Sequence, residues 1–165
     1  MKAVFYTYLA CLCLFINWAC VSKTYSPIVI RPATCSDDVQ FAESPNLGYL
    51  LEFADKMHKP VFINFYAPWI DVCTKMDKQV FTNDALAMYF NQHFINYKVN
   101  VDGAPPGPQL ANMYGVTVFP TLVFVDGKGK MMLRHEGSIT SAQLMEMATY
   151  LHDAIKEEEF SLGAR

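Results

Sequence analysis

The stretch Val61-Phe62-Ile63-Asn64-Phe65-Tyr66-Ala67 constrains this chain more than any other. It is rich in β-branched, aromatic and aliphatic side chains and shows no apolar–polar alternation, which suits a strand covered on both faces. Pro68-Trp69 ends the run, since proline cannot donate to a strand ladder. A strand buried on both sides requires helices on both faces of its sheet, and the flanking sequence supplies helical patterns in both directions.

Before the run, Leu47, Leu50, Leu51, Ala54 and Met57 fall at helical spacing, and the basic pair His58-Lys59 precedes Pro60. After it, a helix starts near Ile70 or Asp71 and runs through Lys75, Met76 and Val80. Thr82 or Asn83 caps a further helix carrying Leu86, Met88, Tyr89 and Phe90. Phe94–Val101 reads as the next strand, and the proline-rich loop Asp102–Pro108 follows it. Gln109–Tyr114 forms a short helix that ends at Gly115. Thr121–Val125 and Met131–His135 flank a Gly-rich turn and form a hairpin. Thr140-Ser141-Ala142-Gln143 is a capping box that opens the last helix, with Leu144, Met147, Ala148, Leu151 and Ile155 as its apolar stripe. Glu157-Glu158-Glu159 stands at the unfavourable end of that helix dipole, so residues 158–165 are expected to fray. The expected class is α/β: a central mixed sheet with helices on both faces and a C-terminal hairpin plus helix.

Residues 1–20 contain 17 apolar residues, and without them the apolar share falls from 52% to about 48%, ordinary for a globular domain. Met1-Lys2 followed by Ala3–Ile16, apolar except for Thr7, matches a secretory leader and is short for a bilayer-spanning helix. Cleavage after Ser22 gives a leader of residues 1–22. The alternative is a lipoprotein leader ending at residue 19, with Cys20 carrying lipid. Either way the protein is expected to be exported, periplasmic or extracellular, and to meet a membrane only through that leader or lipid. Residues 23–45, with Pro27, Pro32 and Pro45, read as an irregular extension in which Ile28-Val29-Ile30 is a candidate edge strand. The net charge of −3 without a basic cluster excludes nucleic acid as partner. Gly127-Lys128-Gly129-Lys130 is a hairpin turn, not a phosphate loop, and no Cys/His spacing fits a metal, so neither metal nor cofactor is expected.

Val61–Trp69 followed by Cys73, the segment Lys75-Met76-Asp77-Lys78, and Tyr114-Gly115-Val116-Thr117-Val118-Phe119-Pro120-Thr121 together resemble the thioredoxin-like family, and its exported bacterial branch in particular. The resemblance spans about residues 45 to 156 and implies a thioredoxin-like domain over 46–157. It also implies an active site at the start of the helix after the first buried strand, facing Pro120 as a cis proline. That family's chemistry uses Trp-Cys-x-x-Cys. A thiolate at the helix N-terminus attacks a substrate disulfide, and the second cysteine resolves the mixed disulfide.

This chain keeps Trp69 and Cys73 but places Ile70 where the resemblance puts the attacking cysteine, and Asn64 where thioredoxins carry a buried acid. Isoleucine has no nucleophile, and an amide does not exchange protons near neutral pH. Cys73 has two readings. One is a small buried hydrophobe on the inner helix face, its thiolate disfavoured by burial and by Asp71. The other is a reactive thiol, alone or paired with Cys35 in a disulfide, which needs their Cα atoms within roughly 7 Å. What remains of the family's site is a surface. By resemblance, the Phe119 backbone before Pro120 pairs with an extended protein or peptide segment, with Trp69, Ile70 and Phe119 around it. Three functions stay open: a redox-degenerate binding protein, a thiol–disulfide oxidoreductase or isomerase acting through Cys73 with Cys35 or a thiol of another protein, and a structural domain.

Overall fold

The computed structural model describes residues 38–42, 44 and 46–163. The leader, Cys20, Cys35 and the strand candidate at 28–30 lie outside the described residues, and with them the Cys35–Cys73 pairing.

In chain order the elements are β1 (Phe41–Ala42), α1 (Leu47–Lys56), β2 (Val61–Tyr66), α2 (Asp71–Gln79), α3 (Asp84–His93), β3 (Ile95–Asn100), α4 (Gly107–Met113), β4 (Thr121–Val125), β5 (Met131–Glu136) and α5 (Ser141–Gly163). The sheet order is β1-β3-β2-β4-β5. β1, β3 and β2 run parallel, whereas β4 is antiparallel to β2 and β5 to β4. The sheet is therefore mixed, as the order of sequence patterns implies.

β2 is central and fully laddered, with Val61 opposite Ile95 on one side and Val125 on the other. Its alternation splits the core into two layers. Val61, Ile63 and Phe65 pack with Leu47, Leu50 and Ala54 of α1 and Leu110 and Ala111 of α4. Phe62 faces the opposite layer, with Met76 of α2, Leu86 and Phe90 of α3, and Leu144 and Ala148 of α5. This two-sided burial is why the run carries no polar alternation.

Local chemistry sets the element ends. Asn46 caps α1 by accepting from the Gly48 N–H at 2.7 Å, and Asn83 caps α3 by accepting from Leu86 N–H at 3.0 Å. α1 ends as His58 turns to φ 51°, so that the Lys59 N–H reaches Ala54 O at 3.0 Å and closes the last turn before Pro60. In the hairpin, Asp126 Oδ1 accepts from the N–H groups of Lys128 and Lys130, both at 2.9 Å.

Two expectations need correction. Phe41–Ala42, read as part of an irregular extension, forms an edge strand on β3, with Phe41 opposite Asn96. Two residues are too few to show a period, and the strand is held from outside itself: Asn96 Nδ2 donates to Gln40 O at 3.3 Å, and Val39 N–H to Phe81 O at 2.8 Å. α4 begins at Gly107, two residues before the expected Gln109, because Pro108 sits in the first turn, where its missing N–H has no intrahelical role. The last helix continues through the acidic run to Gly163.

Candidate functional site

The register places the site. Phe65, near the C-terminal end of β2, stands opposite Thr121, the first residue of β4. The turn after β2 and the loop before β4 therefore emerge at the same end of the sheet. The first carries Ala67-Pro68-Trp69-Ile70, and the second carries Val118-Phe119-Pro120.

In the first turn, Ile70 N–H donates to Ala67 O at 3.1 Å. Ile70 is the N-cap of α2, extended at φ −90° and ψ 112°, with no side-chain cap to the helix N–H groups. Its side chain packs part-buried on the α1/α4 core layer instead. Trp69 is 70% exposed, and its indole N–H donates to the Asp102 carboxylate, so the ring is fixed although it lies on the surface. In the second loop, the Phe119–Pro120 peptide bond is cis. Thr121 Oγ1 donates to Val118 O at 2.6 Å, and Gly137 N–H donates to Pro120 O at 2.8 Å. Phe119 rests part-buried on the same core layer as Ile70. Arg134 of β5 braces the stretch upstream by donating to Tyr114 O at 2.7 Å and Gly115 O at 3.1 Å.

Beneath this surface lies Cys73, the sole cysteine among the described residues, only 3% exposed on the inner face of α2. Burial pushes its thiol above the ordinary range. Hydrogen bonding with the Ala67 backbone opposes that shift, Asp77 adds to it and Lys98 opposes it. The carboxylate acting on Cys73 is therefore Asp77, not the expected Asp71. Asp77 lies four residues on, one helical turn away on the same face, whereas a separation of two points elsewhere. Asp77 is in turn held by Lys98 of β3, Nζ to Oδ1 at 2.6 Å, and the same ammonium lies 4.3 Å from the centre of the Tyr66 ring. Lys98 thus covers one face of the Tyr66 ring. Asn64 is 2% exposed, and its Oδ1 has no hydrogen-bond partner among the described residues.

Native Cys73 is expected to react with iodoacetamide near pH 7.5 at least ~10-fold more slowly than the same thiol in urea-unfolded protein, because both access and thiolate fraction are reduced. Its raised pKa also has a definite sign in linkage. Above the unfolded thiol pKa of about 8.5, the unfolded chain has lost a proton that the native chain keeps, so stability falls as pH rises through that region. Urea titrations near pH 7.5 and pH 9.5 on wild type and Cys73→Ala read the difference.

One buried thiol without a neighbour at position 70 cannot complete a two-cysteine cycle by itself. The mixed disulfide needs an accessible attacking thiolate and a second thiol to release it. Lys98, and the roles of Asp77 beside Cys73 and of Asp102 beneath Trp69, emerge only from the fold. The available signals were the Cys73–Asp77 helical spacing and a lone lysine inside an apolar strand. Nothing in the sequence pairs Trp69 with a residue 33 positions away.

A family model for the thioredoxin-like domain matches residues 50–152. The chain belongs to the thioredoxin-like family. This thioredoxin-like chain is 32% identical over 111 residues to the chloroplastic thioredoxin M2 of Arabidopsis thaliana, covering 67% of the chain and 55% of that protein. It spans about half the length, or less, of the first curated relatives it matches. Its fold superimposes on a putative disulphide-isomerase from Bacteroides thetaiotaomicron with TM-score 0.59 and 25% identity, over 72% of this chain and 96% of that one. DsbH oxidoreductase gives TM-score 0.58 and 26% identity, over 75% and 91%. The thioredoxin-like fold and these relatives mark a family of the thiol–disulfide-oxidoreductase type.

Proposed function

We propose that this thioredoxin-like protein has exchanged two-cysteine catalysis for binding, and that it holds an extended protein segment across Trp69, Ile70, Phe119 and Pro120 in an exported setting. The observation that carries the reading is Ile70 at the head of α2, where the resemblance puts the attacking cysteine. The site keeps the means to bind: a fixed, exposed indole, partly exposed Val118, and the Phe119 backbone as a pairing edge for an added strand. The apolar leader at residues 1–22 supports export.

The test uses a reduced, alkylated and therefore permanently unfolded polypeptide, labelled for anisotropy. Trp69→Ala is expected to weaken its binding by about 30-fold, the loss of a central aromatic anchor worth about 2 kcal/mol. Cys73→Ala is expected to leave binding unchanged, since no covalent step is involved. Binding that survives Trp69→Ala, or that depends on Cys73, contradicts the proposal. The second outcome favours thiol chemistry through Cys73.

A further inference from the structure

A second cluster lies at the other end of the sheet, where β3 begins beside the start of β2, with Ile95 opposite Val61. His93, the last residue of α3, packs against His152 of α5 in a tilted pair, with ring centroids 4.3 Å apart and planes 43° apart. Tyr89, one turn earlier in α3, lies 4.5 Å from the His93 ring, and its hydroxyl is 3.0 Å from His152 Nδ1. All three side chains are partly buried. The charged groups around the cluster are Lys156 on α5, Lys59 before β2, and Asp153 on α5 near the Tyr89 hydroxyl.

The position of this cluster along α5 matters. The side chains that anchor α5 in the core, Leu144, Ala148 and Leu151, all precede His152. Beyond it, among the described side chains, Ile155 packs part-buried on the same layer and Phe160 is exposed. The rings and Ile155 thus tie the end of α5 to the domain among the described side chains.

We propose that Tyr89, His93 and His152 form an acid-sensitive latch: neutral, closely packed rings help to hold the end of α5 (residues 152–163) against α3, and protonation of the pair releases it. Two imidazolium rings at that separation repel each other, and Lys156 and Lys59 add like charge that Asp153 offsets only in part. Burial holds His93 below the ordinary imidazole range, and His152, Lys156 and Lys59 push in the same direction. The released state then binds more protons than the latched one. The latch is closed above about pH 6.5 and weakens as pH falls through the His93 titration. Release gives up the part-buried packing of Ile155 but leaves Leu144, Ala148 and Leu151 in the core.

Hydrogen–deuterium exchange of the purified protein near pH 7.5 and pH 5, corrected for intrinsic rates, tests this. Protection of the amides of residues 153–163 is expected to fall several-fold at acid pH, while residues 141–151 keep theirs. In His93→Gln the ratio between the two pH values is expected to approach one. An equal acid response in His93→Gln, or a loss that extends through β2, overturns the proposal. So does a ring-proton NMR titration that places the His93 midpoint at or above about 6.5.

Discussion

Ile70→Cys is expected to give this protein disulfide-oxidoreductase turnover that the wild type, on the proposed reading, does not show. The substituted residue heads α2 with an extended backbone, and Cys73 follows one turn later on the same helix. A thiol at that corner meets the N–H groups of the first turn, which no side chain caps, and the helix dipole lowers its pKa. Residues three apart on a helix lie about 5–6 Å apart, within reach of a disulfide. Both parts of the exchange cycle then exist: an attacking thiolate at position 70, and Cys73 to resolve the mixed disulfide and carry the oxidised pair. Insulin reduction with a dithiol as electron source is expected to rise at least ~10-fold above wild type, and double substitution with Cys73→Ala to abolish the gain. Asn64 stays buried beneath and supplies no proton acceptor, so the variant is expected to remain slower than relatives that carry an acid there. No gain at all means that the turn after β2 has left the geometry the chemistry needs.

Phe62→Ala is the substitution with the largest expected cost in stability, about 3–5 kcal/mol. Phe62 is fully buried on the central strand, with its ring centre 4.9 Å from Phe90 and 5.1 Å from Phe124. It therefore joins α3, β4 and, through the same layer, α5. The neighbours belong to three elements fixed by their own ladders and cores, so the cavity cannot collapse around alanine. Domains of this size are stable by about 5–15 kcal/mol, so the variant is expected to unfold at much lower urea with little change in slope. A loss below about 1 kcal/mol contradicts the two-layer core described for β2.

Much of this architecture was legible because its signals are local or periodic. The unalternating run at Val61–Ala67 announces burial on both faces, and Asn83 and Thr140 announce helix starts with oxygen-bearing side chains. Thr140 indeed exchanges hydrogen bonds with Gln143, its N–H donating to Oε1 at 3.1 Å while its Oγ1 accepts from the Gln143 N–H at 3.3 Å. β1 was not legible, since Phe41 and Ala42 gain strand geometry only from β3. At the site, the loss of the nucleophile at Ile70 is a matter of residue identity and stands in the sequence. The partners that shape what is left do not: Asp102 under Trp69, and Lys98 between Asp77 and Tyr66, are brought together by β3 crossing beside β2. Sheet register creates those contacts, and it carries no mark at the individual residues.

The central claim is that position 70 has removed electron transfer from this scaffold. Steady-state reduction of a protein disulfide by the purified wild-type protein, with dithiol reductant in excess and with Cys73→Ala run beside it, tests that claim most directly. The account predicts that the two proteins are indistinguishable from each other and from the reductant alone. Turnover by the wild type at rates typical of thioredoxins, lost on Cys73→Ala, would contradict it.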